Sequence, residues 1–172
     1  QDLPNGLVNA GSGKQNNKLI AFFGRAAFNI NETYFFQASL RREGSSRFGT
    51  GNQWGNFPAV SAGVTLSNLF DAEAVDNLKL RAGYGVTGNP PRDSYQSLQR
   101  FGPQGNFFFN GAFTNSYAPI SNPNPNLRWE RKKDFNIGLD YSLMDYRING
   151  SIEYYNNTTS DLLLNFPVPV PP

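Results

Sequence analysis

Three groups of residues have the types and spacing to do chemistry. Gly83, Gly85 and Gly88 stand as Gly-x-Gly-x-x-Gly, the spacing that lets a backbone close on a dinucleotide pyrophosphate at a helix N-terminus. Asp71, Glu73 and Asp76 crowd three carboxylates into one short segment, raw material for a cation site or an acid and base pair. Phe101, Phe107, Phe108, Phe109, Phe113 and Tyr117 lie with Arg92, Asp93 and Arg100 in a stretch rich in Asn and Gly. Aromatic faces beside amides and charges suit stacking on a sugar or gripping a peptide. Arg47, Phe48 and Trp54 repeat the combination earlier in the chain.

Each group has a plainer reading. The glycines run into Asn89-Pro90-Pro91, which cannot open the helix that would hold a pyrophosphate, so they read as strand positions that curve a sheet. The acidic trio lacks the glycine turn and the oxygen series of a calcium loop and reads as a solvated turn. The loop aromatics either meet a ligand or pack their loop against itself or a covering partner.

Composition removes more. The chain has no His and no Cys, which takes away the commonest general base, thiolate metal ligands and any disulfide framework. No carboxylate pair stands out as a glycoside hydrolase would need. The chain is expected not to be an enzyme, and no catalytic residue, metal or cofactor is assigned to it. Formal charge is +2 with both signs mixed along the chain, so there is no electrostatic footprint for nucleic acid. Aromatics reach 15% and Gly, Asn and Pro are abundant, an all-β composition.

The elements that position these residues are strands. In 78–86, Leu78, Leu80, Ala82, Tyr84 and Val86 alternate with Lys79, Arg81, Gly83 and Gly85, which gives one apolar and one charged face. The same period of two runs through 18–30, 34–42, 59–67, the segment around 135–143, and 147–155, with loop composition in 1–17. That makes about six strands of an antiparallel up-and-down meander. Connections near Asn31, Asn68 and Asp145 are short; those near Gly44 and Asn89 are long, spanning 44–57 and 87–126. Loops sorted by length to opposite ends fit a transmembrane barrel, whereas both ends of a soluble sandwich meet the same water. No run of apolar residues is long enough for a membrane helix, yet a barrel strand needs only about 9 to 11 alternating residues. On this reading Arg25, Arg41, Lys79, Arg81, Asp140 and Glu153 face a wet lumen, and Tyr34, Tyr84, Tyr141 and Tyr154 sit near the interfaces.

Leu40-Arg41-Arg42-Glu43-Gly44-Ser45-Ser46-Arg47-Phe48-Gly49, Trp54-Gly55-Asn56-Phe57-Pro58-Ala59-Val60-Ser61-Ala62-Gly63, the Leu78 to Asn89 strand, Asn124-Pro125-Asn126-Leu127-Arg128-Trp129-Glu130 and Ile152-Glu153-Tyr154-Tyr155-Asn156-Asn157 form a series of long motifs. In this order they resemble the SusC/RagA-like TonB-dependent outer-membrane transporters of Bacteroidetes-type Gram-negative bacteria. Val64 stands where the family usually has Trp. The resemblance implies a barrel of about 22 strands in the whole protein, of which 18–165 would be an internal part and 166–172 a truncated end. It implies import of a bulky nutrient, an oligosaccharide or peptide, driven through TonB. The implied partners are a SusD-like surface lipoprotein, TonB through other parts of the protein, the rest of the barrel and outer-membrane lipid. Loop residues Arg47, Trp54, Arg92, Phe107, Phe108, Phe109 and Tyr117 are the candidates to meet substrate or lid. A soluble carbohydrate-binding β-sandwich is the alternative.

Overall fold

A computed structural model describes residues 13–70 and 72–164. Eight strands follow one another: β1 (Leu19–Ile30), β2 (Tyr34–Ser45), β3 (Trp54–Thr65), β4 (Val75–Asn89), β5 (Phe101–Phe109), β6 (Ala112–Pro119), β7 (Glu130–Leu143) and β8 (Ile148–Ser160). Six of them make one antiparallel sheet in the order β1-β2-β3-β4-β7-β8, and β5 and β6 pair separately as a hairpin set into the β4 to β7 connection. The meander is as the alternation predicts; the hairpin is an addition to it. Its turn is Asn110-Gly111, with both residues at positive φ (47° and 81°), between the partners Phe109 and Ala112. That is the conformation a two-residue turn needs to match strand twist.

Register assigns the faces, because residues paired across an antiparallel ladder point the same way. One row runs Phe28, Phe36, Ala62, Ala82, Ile137 and Tyr154. Another runs Arg25, Ser39, Ala59, Gly85, Asp134 and Asn157. The sheet therefore has an apolar and a polar face throughout. Among the described residues no second sheet packs on the apolar face, and Phe22, Phe28, Phe36, Val60, Leu80 and Ile152 are all exposed there.

The connections 31–33, 66–74 and 144–147 lie at one end of the sheet, and 46–53 and 90–129 at the other. The first long loop is shorter than its composition suggests. Residues 44–57 were expected to be loop, but Gly44 pairs with Trp54, Glu43 with Gly55, Arg42 with Asn56 and Arg41 with Phe57, which leaves only 46–53 unpaired. Glycine-rich, aromatic sequence imitates a loop where these glycines instead make room for rings: a Cβ at Gly44 would lie 2.8 Å from the Trp54 indole. The second expected loop, 87–126, likewise begins later, since β4 runs to Asn89.

The buried apolar cluster sits at the long-loop end, not on the faces. Phe48, Phe57, Val86, Leu127 and Trp129 form it, with Leu163 against its edge. Trp129 is 3% exposed, with ring centres 4.8 Å from Phe48 and 5.3 Å, edge on, from Phe57. Its indole N–H donates to the Gln53 carbonyl at 3.2 Å. One residue of the returning chain thus pins the first long loop and the top of β3. Trp129→Ala would leave a ring-sized cavity costing about 3 kcal/mol or more, roughly a hundredfold in a local opening equilibrium. Amide hydrogen exchange across 46–53 should accelerate by that order in this variant, while exchange at the 31–33 end stays unchanged.

Candidate functional site

The polar face and the loops at one end are the two places where side chains could meet a solute. On the face, Arg81 Nε donates to Asp140 Oδ2 at 3.0 Å, and its Nη2 reaches both Asp140 and Glu153. The fork lies over Gly138, where a Cβ would sit 2.9 Å from the guanidinium carbon. Lys79 lies with its ammonium 4.2 Å from the Phe35 ring centre, a cation–π contact. Arg41 pairs with Glu43 at 2.8 Å, and Lys132 with Asp134 at 3.0 Å. Arg25 has no ion-pair partner among the described residues. An open groove of about 510 Å³ lies beside Lys79 and Arg81, lined also by Asn29, Phe35, Gln37 and Asn136 among others. All six charged residues expected on one face are therefore on one face. Phe23 and Phe35 share it, which the alternation could have shown: each is one half of a Phe-Phe doublet and falls on the odd positions with Arg25 and Gln37.

The loops are stitched together by their backbone carbonyls. Arg47 Nη1 donates to the Pro91 carbonyl at 2.9 Å, and Asn52 Nδ2 to the Pro125 carbonyl at 3.4 Å. At the base of the same loops, Glu130 accepts from Asn89 Nδ2 at 3.0 Å and from the Leu163 amide at 3.2 Å. Arg47 is thus occupied in tying two loops, and its neighbour Phe48 is core. Trp54, expected in a loop beside them, is the first residue of β3 and lies on the apolar face, stacked at 6.3 Å on Phe22 with the Arg42 guanidinium 5.2 Å from its ring centre.

Arg92 is exposed in the loop. The hairpin carries the remaining loop candidates clear of the sheet. Phe107 and Phe109 neighbour each other at 6.2 Å, and Phe108 meets Phe113 edge on at 5.3 Å. Phe108, Phe109, Phe113 and Tyr117 nevertheless stay well exposed. The rings pack in pairs and still present aromatic surface. The hairpin itself was legible: Asn110-Gly111 between aromatic runs is the strongest short-range hairpin signal, here masked by the surrounding Asn and Gly.

The other motifs resolve into structure. Gly83, Gly85 and Gly88 all lie in β4, paired with β7, with no helix following. A Cβ at Gly83 would come within 2.7 Å of Asn136 Oδ1, and one at Gly88 would overlap the Phe57 ring. Asp76 Oδ2 accepts the Tyr146 amide at 2.9 Å and so closes one short turn against another; Asp71 lies outside the described residues.

A single antiparallel sheet with one apolar face, one charged face and loops sorted by length has the build of a transmembrane β-barrel wall. The chain belongs to the TonB-dependent receptor-like β-barrel family, whose model matches residues 1–172. It is 37% identical over 166 residues to TonB-dependent receptor P39 of Formosa agariphila, covering 95% of this chain and 16% of that protein. To TonB-dependent receptor SusC of Bacteroides thetaiotaomicron it is 35% identical over 161 residues, covering 90% and 16%. Among solved structures, the RagAB peptide importer in its open-open state superimposes with a TM-score of 0.79 at 26% identity, over 89% of this chain and 17% of that one. The chain thus spans about a sixth of the length of these relatives. Family membership replaces the soluble-sandwich alternative.

Arg81 is the cation that lets Asp140 and Glu153 share one face at close quarters. Arg81→Ala should therefore leave two carboxylates opposed and loosen the β7–β8 ladder. We expect faster amide exchange in 136–141 and 150–155 for this variant, and recovery of most of the protection when Glu153→Gln is added. Equal exchange in parent and single variant would mean that solvent screens the cluster completely.

Proposed function

We propose that this chain forms part of the wall and the extracellular loops of an outer-membrane transporter that imports a bulky nutrient, an oligosaccharide or a peptide, with energy supplied through TonB. The observation that carries the reading is the two-faced single sheet: hydrocarbon on one side and a water-filled, polar lumen on the other account for both faces at once. The name SusC and the peptide transport ascribed to RagAB support the nutrient class. In this reading Arg25, Arg41, Lys79, Arg81, Asp140 and Glu153 face the lumen, and the rest of the barrel pairs with the free edges of β1 and β8. The substrate- and lid-facing surface is the hairpin, with Arg92, Phe107, Phe108, Phe109 and Tyr117. Its exposed rings suit a SusD-like surface lipoprotein closing over the mouth, or the substrate held beneath it. Arg47 and Trp54 serve instead as a loop tie and an outer-face anchor.

The hairpin can be removed without stretching the chain, because the Ile120 amide donates to the Arg100 carbonyl at 2.8 Å across its base. Replacing 101–119 by a short Gly linker in the full-length receptor should lower uptake of the nutrient, or capture of the lipoprotein, by about tenfold or more, the scale of losing one or two aromatic anchors. The barrel should still migrate as a folded species in unboiled gels. Unchanged uptake would remove the hairpin from the site, and unchanged growth on oligosaccharide and peptide after deletion of the whole receptor would sink the import reading.

The chain has no cysteine, so single substitutions report each face cleanly. A membrane-impermeant maleimide applied to outer-membrane fragments should label Ser61→Cys and Asn136→Cys and spare Leu80→Cys and Ile137→Cys. Labelling of the two outward positions to the same extent would contradict a lipid-facing wall.

A further inference from the structure

Charge on the outward, apolar face is distributed unlike charge anywhere else in the chain. Among the described strand residues on that face, the cations are Arg42 on β2 and Arg131 and Lys133 on β7, all toward the long-loop end. Asp76, unpaired at the β4 bulge, lies at the opposite end and accepts from the Tyr146 amide. On the inward face Lys132, the residue between Arg131 and Lys133, is paired with Asp134 at 3.0 Å. Arg131 and Lys133 have no ion pair among the described residues.

Beside Lys133 the outward surface is hollowed. A groove of about 380 Å³ is lined by Tyr84, Lys133, Phe135, Tyr154, Asn156 and Thr158. Tyr84 and Phe135 are also walls of a second groove of about 460 Å³, floored by Ala38, Ala62 and Ala82 between Phe28, Phe36 and Val60. The two adjoin at Tyr84 and Phe135, and the trough they make together is apolar on the alanine side and cationic with amide and hydroxyl groups on the Lys133 side. Ala62 of β3 and Ala82 of β4 pair directly, and Ala38 of β2 lies diagonally from Ala62, opposite Val60, so the floor sits below the flanking rings. β7 has 14 residues, several more than the 9 to 11 or so that cross hydrocarbon, so its first few residues reach the headgroup layer.

We propose that this trough binds a bilayer lipid with a net-negative phosphate headgroup, an acyl chain lying on the alanine floor and the phosphate between Lys133 and Arg131, with Asn156 and Thr158 donating to its oxygens. The assignment rests on the outward face meeting lipid, as in the proposed function. Basic side chains gain from an anionic membrane surface, Tyr rings accept the interface, and no outward carboxylate among the described strand residues at that end competes with the lipid for the cations.

The test uses the full-length receptor in detergent, mixed with monophosphoryl lipid A or with phosphatidylcholine, and counts retained lipid by native mass spectrometry. The phosphorylated lipid should be retained on the order of tenfold over phosphatidylcholine, the scale expected for two cations at an anionic surface. K133Q/R131Q should abolish the preference, A62L should weaken retention of both lipids, and Arg25→Gln on the inward face should change nothing. Undiminished preference in K133Q/R131Q, or displacement of the lipid by inorganic phosphate alone, would overturn the site. Val60→Trp separates this from the underlying reading. Quenching of its fluorescence by brominated acyl chains shows that the face meets lipid whatever the headgroup result, and no quenching overturns both.

Discussion

A slip of one residue anywhere in the six-stranded ladder would exchange the two faces. Arg81, Asp140 and Glu153 would turn to the side of Leu80, Leu139 and Ile152, their present ladder neighbours. In a soluble sheet with one face in water that error costs burial; for a wall with lipid on one side each misplaced cation costs roughly 2 to 4 kcal/mol at mid-depth. Register is consequently the property on which everything else depends, and the chain fixes it redundantly. Short turns at 31–33 and 144–147 leave little freedom to shift. Gly138 and Gly150 each receive a specific neighbour, the Arg81 guanidinium and the Tyr141 hydroxyl, and a shifted register would drive those groups into a Cβ instead.

The long-loop end solves a different problem. Loops of the length of 90–129 pay heavily in conformational entropy unless they find internal packing. Trp129 supplies the packing by gathering Phe48 and Phe57 around one indole, and the carbonyl ties from Arg47, Asn52 and Trp129 join three loop segments that are far apart in sequence. Because this cluster holds the base of the loops, the hairpin above it can leave its own rings exposed. Rigid support below and uncovered aromatic surface above suit the recognition role proposed for the hairpin.

The strand alternation was legible because its period is set by the backbone and each of the six wall strands has only one apolar face. Arg25, Arg41, Lys79, Arg81, Asp140 and Glu153 could be grouped from sequence for that reason alone. Loop composition was less faithful. Gly44, Gly55 and Gly88 look like turn residues, yet each accommodates the Trp54 or Phe57 ring within paired strands. A glycine that yields space and a glycine that bends a chain are identical on paper, and only the partner ring distinguishes them. Arg47 was drawn toward ligand binding by its type and neighbours, whereas its partner, the Pro91 carbonyl, lies 44 residues away and leaves no mark on local sequence. Trp54 was misplaced for a related reason: its even parity with Arg42 puts it outward, but parity carries no meaning until the strand start is known.

Among the described strand residues, ion pairs occur on the inward face and not on the outward one, although inward Arg25 has none. Inward, Arg41, Arg81 and Lys132 each find a carboxylate, and Lys79 finds a ring. A lumen filled with water does not demand such pairing, since exposed ion pairs contribute little. What it does is hold long side chains flat against the wall, which keeps the groove above Phe35 and Asn136 open for whatever passes or packs there. Outward, Arg42 lies over Trp54, and among the described strand residues no carboxylate on that face stands at its end. Unpaired positive charge beside aromatic rings is unfavourable in hydrocarbon and favourable at an anionic interface, so its confinement to one end of the apolar face marks where hydrocarbon stops. On the proposed reading, two independent features, loop length and outward charge, orient the sheet the same way across a bilayer.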